Sequence, residues 1–254
     1  ALALDESDAY GQIVSLFGHL WRGHRERAIE AAGELRDRLP TLTNSGVPGR
    51  RSDQLSAAIA VLVVGEQGRI TADAEAALAI AHSFGAPHHI AMALSSGARR
   101  WLMVDPPDFD RALADLAEAI RLRDSVGALS TLDRVALAAI LTQAGDPRAP
   151  EVVMDTLQRA YDERLWAAVD GVLSAAVTLL ATDEPAVAAE ISGYLADSSP
   201  RGNGGAALAA DVVEQLPSND GADIHRARGA AMHRHQVVSI ANQLLDPPST
   251  AQPT

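Results

Sequence analysis

The chain has 254 residues, a formal net charge of -12 at pH 7 and no cysteine. A chain of this length buries about three quarters of its unfolded surface, so it can fold without disulfides. Hydrophobic residues make up 47% of the sequence but aromatic residues only 4%, and 49 positions are alanine. This composition disfavours an all-β protein, because strands are rich in β-branched and aromatic side chains.

The types of charged residue exclude several kinds of chemistry. All 21 basic residues are arginine, which excludes a P-loop lysine and a Schiff-base lysine. The acidic net charge disfavours direct binding to nucleic acid, because phosphate binding needs a positive surface.

The sequence has no apolar run of membrane-spanning length, so we expect a cytoplasmic protein without membrane contact. Position 1 is alanine rather than methionine, so we expect processing or excision from a longer polypeptide.

Apolar residues at helical spacing predict two helices at the start of the chain. Tyr10, Ile13, Val14, Phe17 and Trp21 form the first stripe, and a second runs over 28–39 and stops at Pro40. The segment 40–52 has no apolar period and carries proline and glycine, which predicts a loop. Further stripes predict eight more helices, over 55–63, 77–84, 87–102, 109–120, 132–143, 153–161, 166–180 and 187–195.

The C-terminal part is less regular. The segment 198–206 is predicted to be a flexible loop, and shorter amphipathic pieces follow at 208–216 and 224–245. The polar tail 247–254 is predicted to be disordered. We therefore expect one all-α domain over residues 1–246.

The sequence repeats at a period near 40. A shift of 42 aligns Ala77–Ala86 with Ala119–Ala128, and a shift of 41 aligns Ala119 and Arg123 with Ala160 and Arg164. Two helices in each repeat are typical of the α-solenoid group, in which neighbouring hairpins must stack to bury their apolar faces. The predicted fold is an α-solenoid of antiparallel helical hairpins, similar to tetratricopeptide repeats.

The small residues at the predicted helix crossings and the closing segment 227–246, with Arg228-Gly-Ala-Ala-Met232 within it, carry a resemblance. The chain resembles the C-terminal tetratricopeptide-like repeat region of actinobacterial multidomain regulators. These combine helical repeats with a STAND-type ATPase, a cyclase-like module or a LuxR-type helix-turn-helix. The resemblance implies a role in transcription regulation or signalling. It carries over no ATPase, cyclase or DNA-binding residues, since no matching motif is present.

The remaining polar clusters favour structural roles. The histidines lack the spacing of three or four that a helical metal pair needs. Two carboxylate clusters, Asp105, Asp108 and Asp110 and then Asp183 and Glu184, lie at predicted helix N-termini, where capping explains them. We therefore predict no catalytic residue, no cofactor and no metal, and interpret Trp21, Trp101 and Trp166 as core residues.

Two surfaces are candidate binding sites. Solenoids bind on the wall formed by the first helix of each hairpin, where the lining residues are predicted to be His89, Met92, Arg99 and Arg134. The second surface is a basic patch, predicted to dock an acidic partner, with arginines at Arg226, Arg228 and Arg234.

These observations predict a non-enzymatic helical-repeat sensor or scaffold domain of a regulatory protein. It would bind a protein partner or a small effector. The alternative is a stand-alone small-molecule binding protein with a pocket between helical hairpins. A homodimer is compatible with either function.

Overall fold

The structure, a computed structural model, describes residues 9–42, 50–198 and 221–245. Within these ranges the regular structure consists of twelve α-helices and a short 3-10 turn, with no strand, which confirms the all-α prediction. The helices are α1 (Ala9–Trp21), α2 (Arg25–Leu42), α3 (Arg50–Val64), α4 (Ile70–Phe84), α5 (Pro87–Trp101), α6 (Phe109–Ser125), α7 (Thr131–Gln143), α8 (Ala149–Asp162), α9 (Trp166–Leu180), α10 (Pro185–Ser198), α11 (Ala222–Ala230) and α12 (Arg234–Leu245).

The two predicted loops are only partly described. Helix α2 continues through Pro40 to Leu42 and α3 begins at Arg50, so both helices extend into the segment 40–52. The φ angle of proline suits a helix, and the cost of its missing N–H is small so close to the helix end. The second predicted loop, 198–206, overlaps α10 by one residue, because α10 extends to Ser198. The remaining residues of both loops, the piece 208–216 and the tail 247–254 lie outside the described residues.

The amphipathic piece predicted over 224–245 is two helices, separated by residues 231–233. At the break, the Met232 N–H donates to the Gly229 carbonyl and closes α11 with a tight turn. Helix α12 then begins with a side-chain cap, because the His233 N–H donates to Gln236 Oε1 at 2.8 Å. A glutamine at the third helical position satisfies such a free N–H in the capping box.

The chain divides into two compact units, residues 1–130 and 131–254. In the first unit each of the helices α1 to α5 contacts the next one, and α3 also contacts α1 and α5. In the second unit α9 is the central helix: it contacts α7, α8, α10 and α12, and ten of its fifteen residues are buried. The single domain over 1–246 stays a prediction.

The sequence repeat corresponds to equivalent positions in the helices. Ala77 in α4, Ala119 in α6 and Ala160 in α8 are all fully buried. The small methyl side chain at each of these positions allows a neighbouring helix to approach closely. Gly85 and Gly127, which the 42-residue shift aligns, follow α4 and α6 with φ of +67° and +65°. This left-handed conformation ends helices and favours glycine.

The tryptophans do not all belong to the core. Trp101 is 2% exposed, as predicted, and its Nε1–H donates to Asp115 Oδ2 at 2.7 Å. Trp21 is 85% exposed and Trp166 is 41% exposed, so the prediction of core packing is wrong for both. Helical periodicity identifies an apolar stripe, but it does not identify what covers that stripe.

Candidate functional site

The candidate site is an open groove of about 780 Å³ between α8 and α12, in the second unit. Cavities of this size accommodate small molecules or a few side chains of a partner. It combines apolar, amide and carboxylate groups, and its lining residues are Glu151, Met154, Asp155, Gln158, Tyr161, His235, Val238, Ser239, Asn242 and Gln243.

Helix α8 reaches the groove with the side opposite its core face. Its core face, which includes Val153 and Leu157, is fully buried. The turn before α8 is fixed by Asp146, which accepts hydrogen bonds from the backbone and the guanidinium of Arg148 at 2.7–2.9 Å. These bonds lower the pKa of Asp146 to about 2, because hydrogen bonds to a carboxylate favour its charged form.

Helix α12 is anchored by an apolar stripe of its own. Val237, Val238, Ala241 and Leu245 are buried and belong to the core of the second unit. The neighbouring positions on α12 carry polar side chains that line the groove. The amphipathic pattern of α12 therefore sets a polar rim beside an apolar floor.

The groove carries two unpaired carboxylates. Glu151 and Asp155 lie one helical turn apart on α8 and are both exposed. Neither makes an ion pair with any residue in the described ranges. Across the groove, Asn242 Nδ2 donates to Gln158 Oε1 at 3.4 Å, while Asn242 Oδ1 is buried without a hydrogen-bond partner. The groove thus offers unpaired negative charge to a bound molecule.

A pair of aromatic rings connects the groove to the helix that follows α8. Tyr161 lines it and packs edge-to-face on Trp166, with ring centroids 5.9 Å apart. The guanidinium of Arg234 lies 5.0 Å from the centre of the Trp166 ring and 3.7 Å from Asp170 Oδ1. Burial raises the pKa of Asp170, and the charge of Arg234 partly opposes this.

The structure divides the predicted basic patch between α11 and α12, and each of its arginines faces a carboxylate. Arg228 lies 3.3 Å from the buried Glu190, and Arg234 pairs with the buried Asp170. Arg226 lies 3.7 Å from the carboxylate three residues before it. The docking role of the patch stays a prediction, while Arg228 and Arg234 already compensate buried negative charge within the chain.

The four residues predicted to line a concave wall lie in different units. His89, Met92 and Arg99 are on α5 in the first unit, and Arg134 is on α7 in the second. His89 is partly buried and packs edge-to-face on Phe84, with ring centroids 5.0 Å apart. None of the four lines the groove between α8 and α12. Their role in binding stays a prediction.

A second cavity, of about 400 Å³, lies in the first unit among α2, α3 and α4. Its lining is mainly apolar and includes Leu39, Val61 and Ile80. At its edge, Arg36 and Asp73 form a two-pronged ion pair, with Nε–Oδ1 and Nη2–Oδ2 distances of 2.9 and 2.8 Å. A paired charge beside apolar walls is typical of a small-molecule pocket.

Within the described part of the chain, no three histidine, aspartate or glutamate side chains come together in a way that could hold a metal ion. In those residues, no helix combines the length and the apolar character that crossing a membrane requires.

The sequence reasoning missed the groove. Met154, Gln158 and Tyr161 recur at spacings of four and three on α8, which is the one signal that could have shown a second functional face. The matching face on α12 could not be assigned from the sequence, because residues 224–245 were predicted as one amphipathic piece and the helix break at 231–233 was not predicted. Comparison with protein-family models, with curated proteins and with solved structures finds no match to this chain.

Proposed function

We propose that the chain is a non-enzymatic helical-repeat domain that binds a basic segment of a partner protein in the groove between α8 and α12. In a regulatory protein such a domain would act as a sensor or scaffold. The observation that carries the proposal is the groove itself, in which unpaired carboxylates flank an apolar floor. The resemblance to regulator repeat regions supports the same role.

The helix contacts support a repeat architecture. In the first unit consecutive helices pair, and α3 contacts both α1 and α5; in the second unit α7 contacts both α8 and α9. Contacts between next and next-but-one helices are those expected of stacked antiparallel hairpins. Such hairpins hold a groove on rigid helices, which lowers the entropic cost of binding.

The charges of the groove favour a basic partner over an acidic one. Glu151 and Asp155 are unpaired, and the lining of the groove contains no arginine or lysine. The chain as a whole carries a net charge of -12, which would steer a basic segment towards it and repel an acidic one. Apolar side chains of the same segment would pack on Met154 and Val238.

The direct test measures binding of a labelled amphipathic helical peptide that carries lysine on its polar face. A second peptide with glutamate in place of lysine is the charge control. We expect the basic peptide to bind with a Kd in the range of about 1–100 µM, as for weak transient interfaces. Fluorescence anisotropy gives the affinity.

Two variants test the location of the site. Ser239→Trp fills the groove from an exposed position of α12 and should abolish binding. Replacing both Glu151 and Asp155 by their amides should weaken binding by about 3- to 30-fold and reduce its salt dependence. Asp110→Asn, at an exposed acid of α6, is the matched control. Equal binding of both peptides, or full binding by Ser239→Trp, would contradict the proposal.

The cavity among α2, α3 and α4 favours a second candidate, a small-molecule binding protein. Its volume of about 400 Å³ and its mainly apolar lining suit an apolar ligand with one polar group for the Arg36–Asp73 pair. Ala76→Phe would fill this cavity. A ligand that stabilises the native chain in thermal melts but not this variant would favour the second function.

A further inference from the structure

Helix α1 has an apolar face that no other described element covers. Val14, Phe17, Gly18 and Trp21 follow one another at spacings of three and four, so they share one side of the helix. Leu16, on the opposite side, is fully buried, and α1 contacts α2 and α3. On the outer side Trp21 is 85% and Val14 42% exposed, and the Phe17 and Trp21 rings lie 6.4 Å apart.

This helix also differs from the other described helices in charge. From Ala9 to Trp21 it contains no aspartate, glutamate, arginine or lysine, whereas each of the other eleven described helices contains at least one. Two copies of a chain with a net charge of -12 repel each other over most of their surfaces. The outer face of α1 is free of this repulsion and, being uncharged, is compatible with itself.

The charges that flank α1 in the sequence favour one orientation of two copies. The segment 5–8 carries three acidic residues directly before the helix, and the segment 22–27 carries three arginines and one glutamate directly after it. In an antiparallel pair, the start of each α1 lies beside the end of the other, so acidic sequence before the helix is matched with arginine-rich sequence after it. The helix dipoles of such a pair are also antiparallel, which is the favourable arrangement.

We propose that the outer face of α1 is a homodimer interface, on which a second copy of this chain packs its own α1 in antiparallel orientation about a two-fold axis near Gly18. Such an interface is isologous, so the Trp21 side of one helix meets the Val14 side of the other. Together, the four aromatic rings and two valines of such a pair would bury a surface area at the lower end of the range found for specific protein interfaces. The dimer should therefore be weak, with a Kd of about 10–100 µM.

Sedimentation velocity of the full chain over about 1–300 µM tests this proposal. We expect a monomer–dimer equilibrium in that range. Trp21→Glu should weaken the dimer by at least about 30-fold, as for a tryptophan at the centre of an interface. Ile224→Glu, which changes a 69% exposed apolar residue of α11 in the same way, should leave the dimer unchanged. A chain that is monomeric throughout, or a dimer that Trp21→Glu leaves intact, would overturn the proposal.

Cross-linking tests the orientation and stays informative if Trp21→Glu fails to fold. The chain has no native cysteine, so a single introduced thiol reacts alone. A Cβ built on Gly18 or on Gly33 has no heavy atom within 4 Å, so both sites can take a cysteine. Gly18→Cys should form a dimer with a disulfide near the axis under mild oxidation, and Gly33→Cys on α2 should not. Equal cross-linking at both positions, or none at Gly18, would overturn the antiparallel arrangement.

Discussion

The crossing of α10 and α11 should tolerate no side chain at either of its glycines. A Cβ on Gly229 would overlap the backbone carbonyl oxygen of Glu190, and a Cβ on Gly193 would overlap that of Arg226. A backbone atom cannot rotate away as a side chain can, so one helix has to move. This movement would also separate Glu190 from His225, because His225 Nδ1 lies only 3.0 Å from Glu190 Oε1.

The magnitude follows from two opposing effects. Alanine in place of glycine within a helix stabilises it by about 0.5–1 kcal/mol, whereas overpacking costs about 1–3 kcal/mol. Because the overlap is with backbone, the overpacking cost should lie near the upper end, at about 3 kcal/mol. Subtracting the gain of about 0.5–1 kcal/mol, Gly229→Ala should destabilise the chain by about 2–2.5 kcal/mol. Gly33→Ala is the matched control, since its Cβ would meet no atom within 4 Å, and it should stabilise by about 0.5–1 kcal/mol.

Urea denaturation measures the change in the free energy of unfolding of the whole chain. Hydrogen exchange of residues 222–230 detects local detachment of α11. We expect faster exchange in this segment for Gly229→Ala and for Gly193→Ala, with no change for Gly33→Ala. If Gly229→Ala is as stabilising as Gly33→Ala and α11 keeps its protection, the close approach of α10 and α11 is wrong.

Leu116→Ala in α6 and Leu173→Ala in α9 should each cost about 2–5 kcal/mol in urea denaturation, because both side chains are fully buried and each would leave a cavity. Leu129→Ala, at a 65% exposed position, should change stability by no more than about 0.5 kcal/mol, and equal effects at all three would refute the assigned core. Burial raises the pKa of Asp115 above its ordinary value of 3.8, with the hydrogen bond from Trp101 opposing the shift. The folded chain therefore binds this proton more tightly than the unfolded chain, so this carboxyl lowers stability as the pH rises from about 3.8 through the raised pKa. Asp115→Asn keeps an acceptor for Trp101 and should gain stability over the native chain as the pH rises, which melts between about pH 4 and 7 can detect; an unchanged difference across that range would contradict the burial of this charge.

The existence and order of the helices are local properties, and the sequence predicted them well. Alanine-rich stripes at spacings of three and four, glycines after α4 and α6, and a proline at the start of α5 each act within a turn or two of the chain. The repeat of 42 residues likewise reflects a local pattern, since Ala77 and Ala119 serve the same packing position. The expectation of an all-α fold needed nothing beyond these signals.

The binding surfaces depend on contacts between residues far apart in the chain. Glu190 pairs with His225 and Arg228, at separations of 35 and 38 residues, and Asp170 pairs with Arg234 at a separation of 64. No periodicity encodes such pairs, because they arise only when helices pack and buried charges find partners. The exposure of Trp21 has the same cause. The sequence alone predicts an apolar stripe on α1. The stripe faces solvent only because α2 and α3 pack against the other side of that helix.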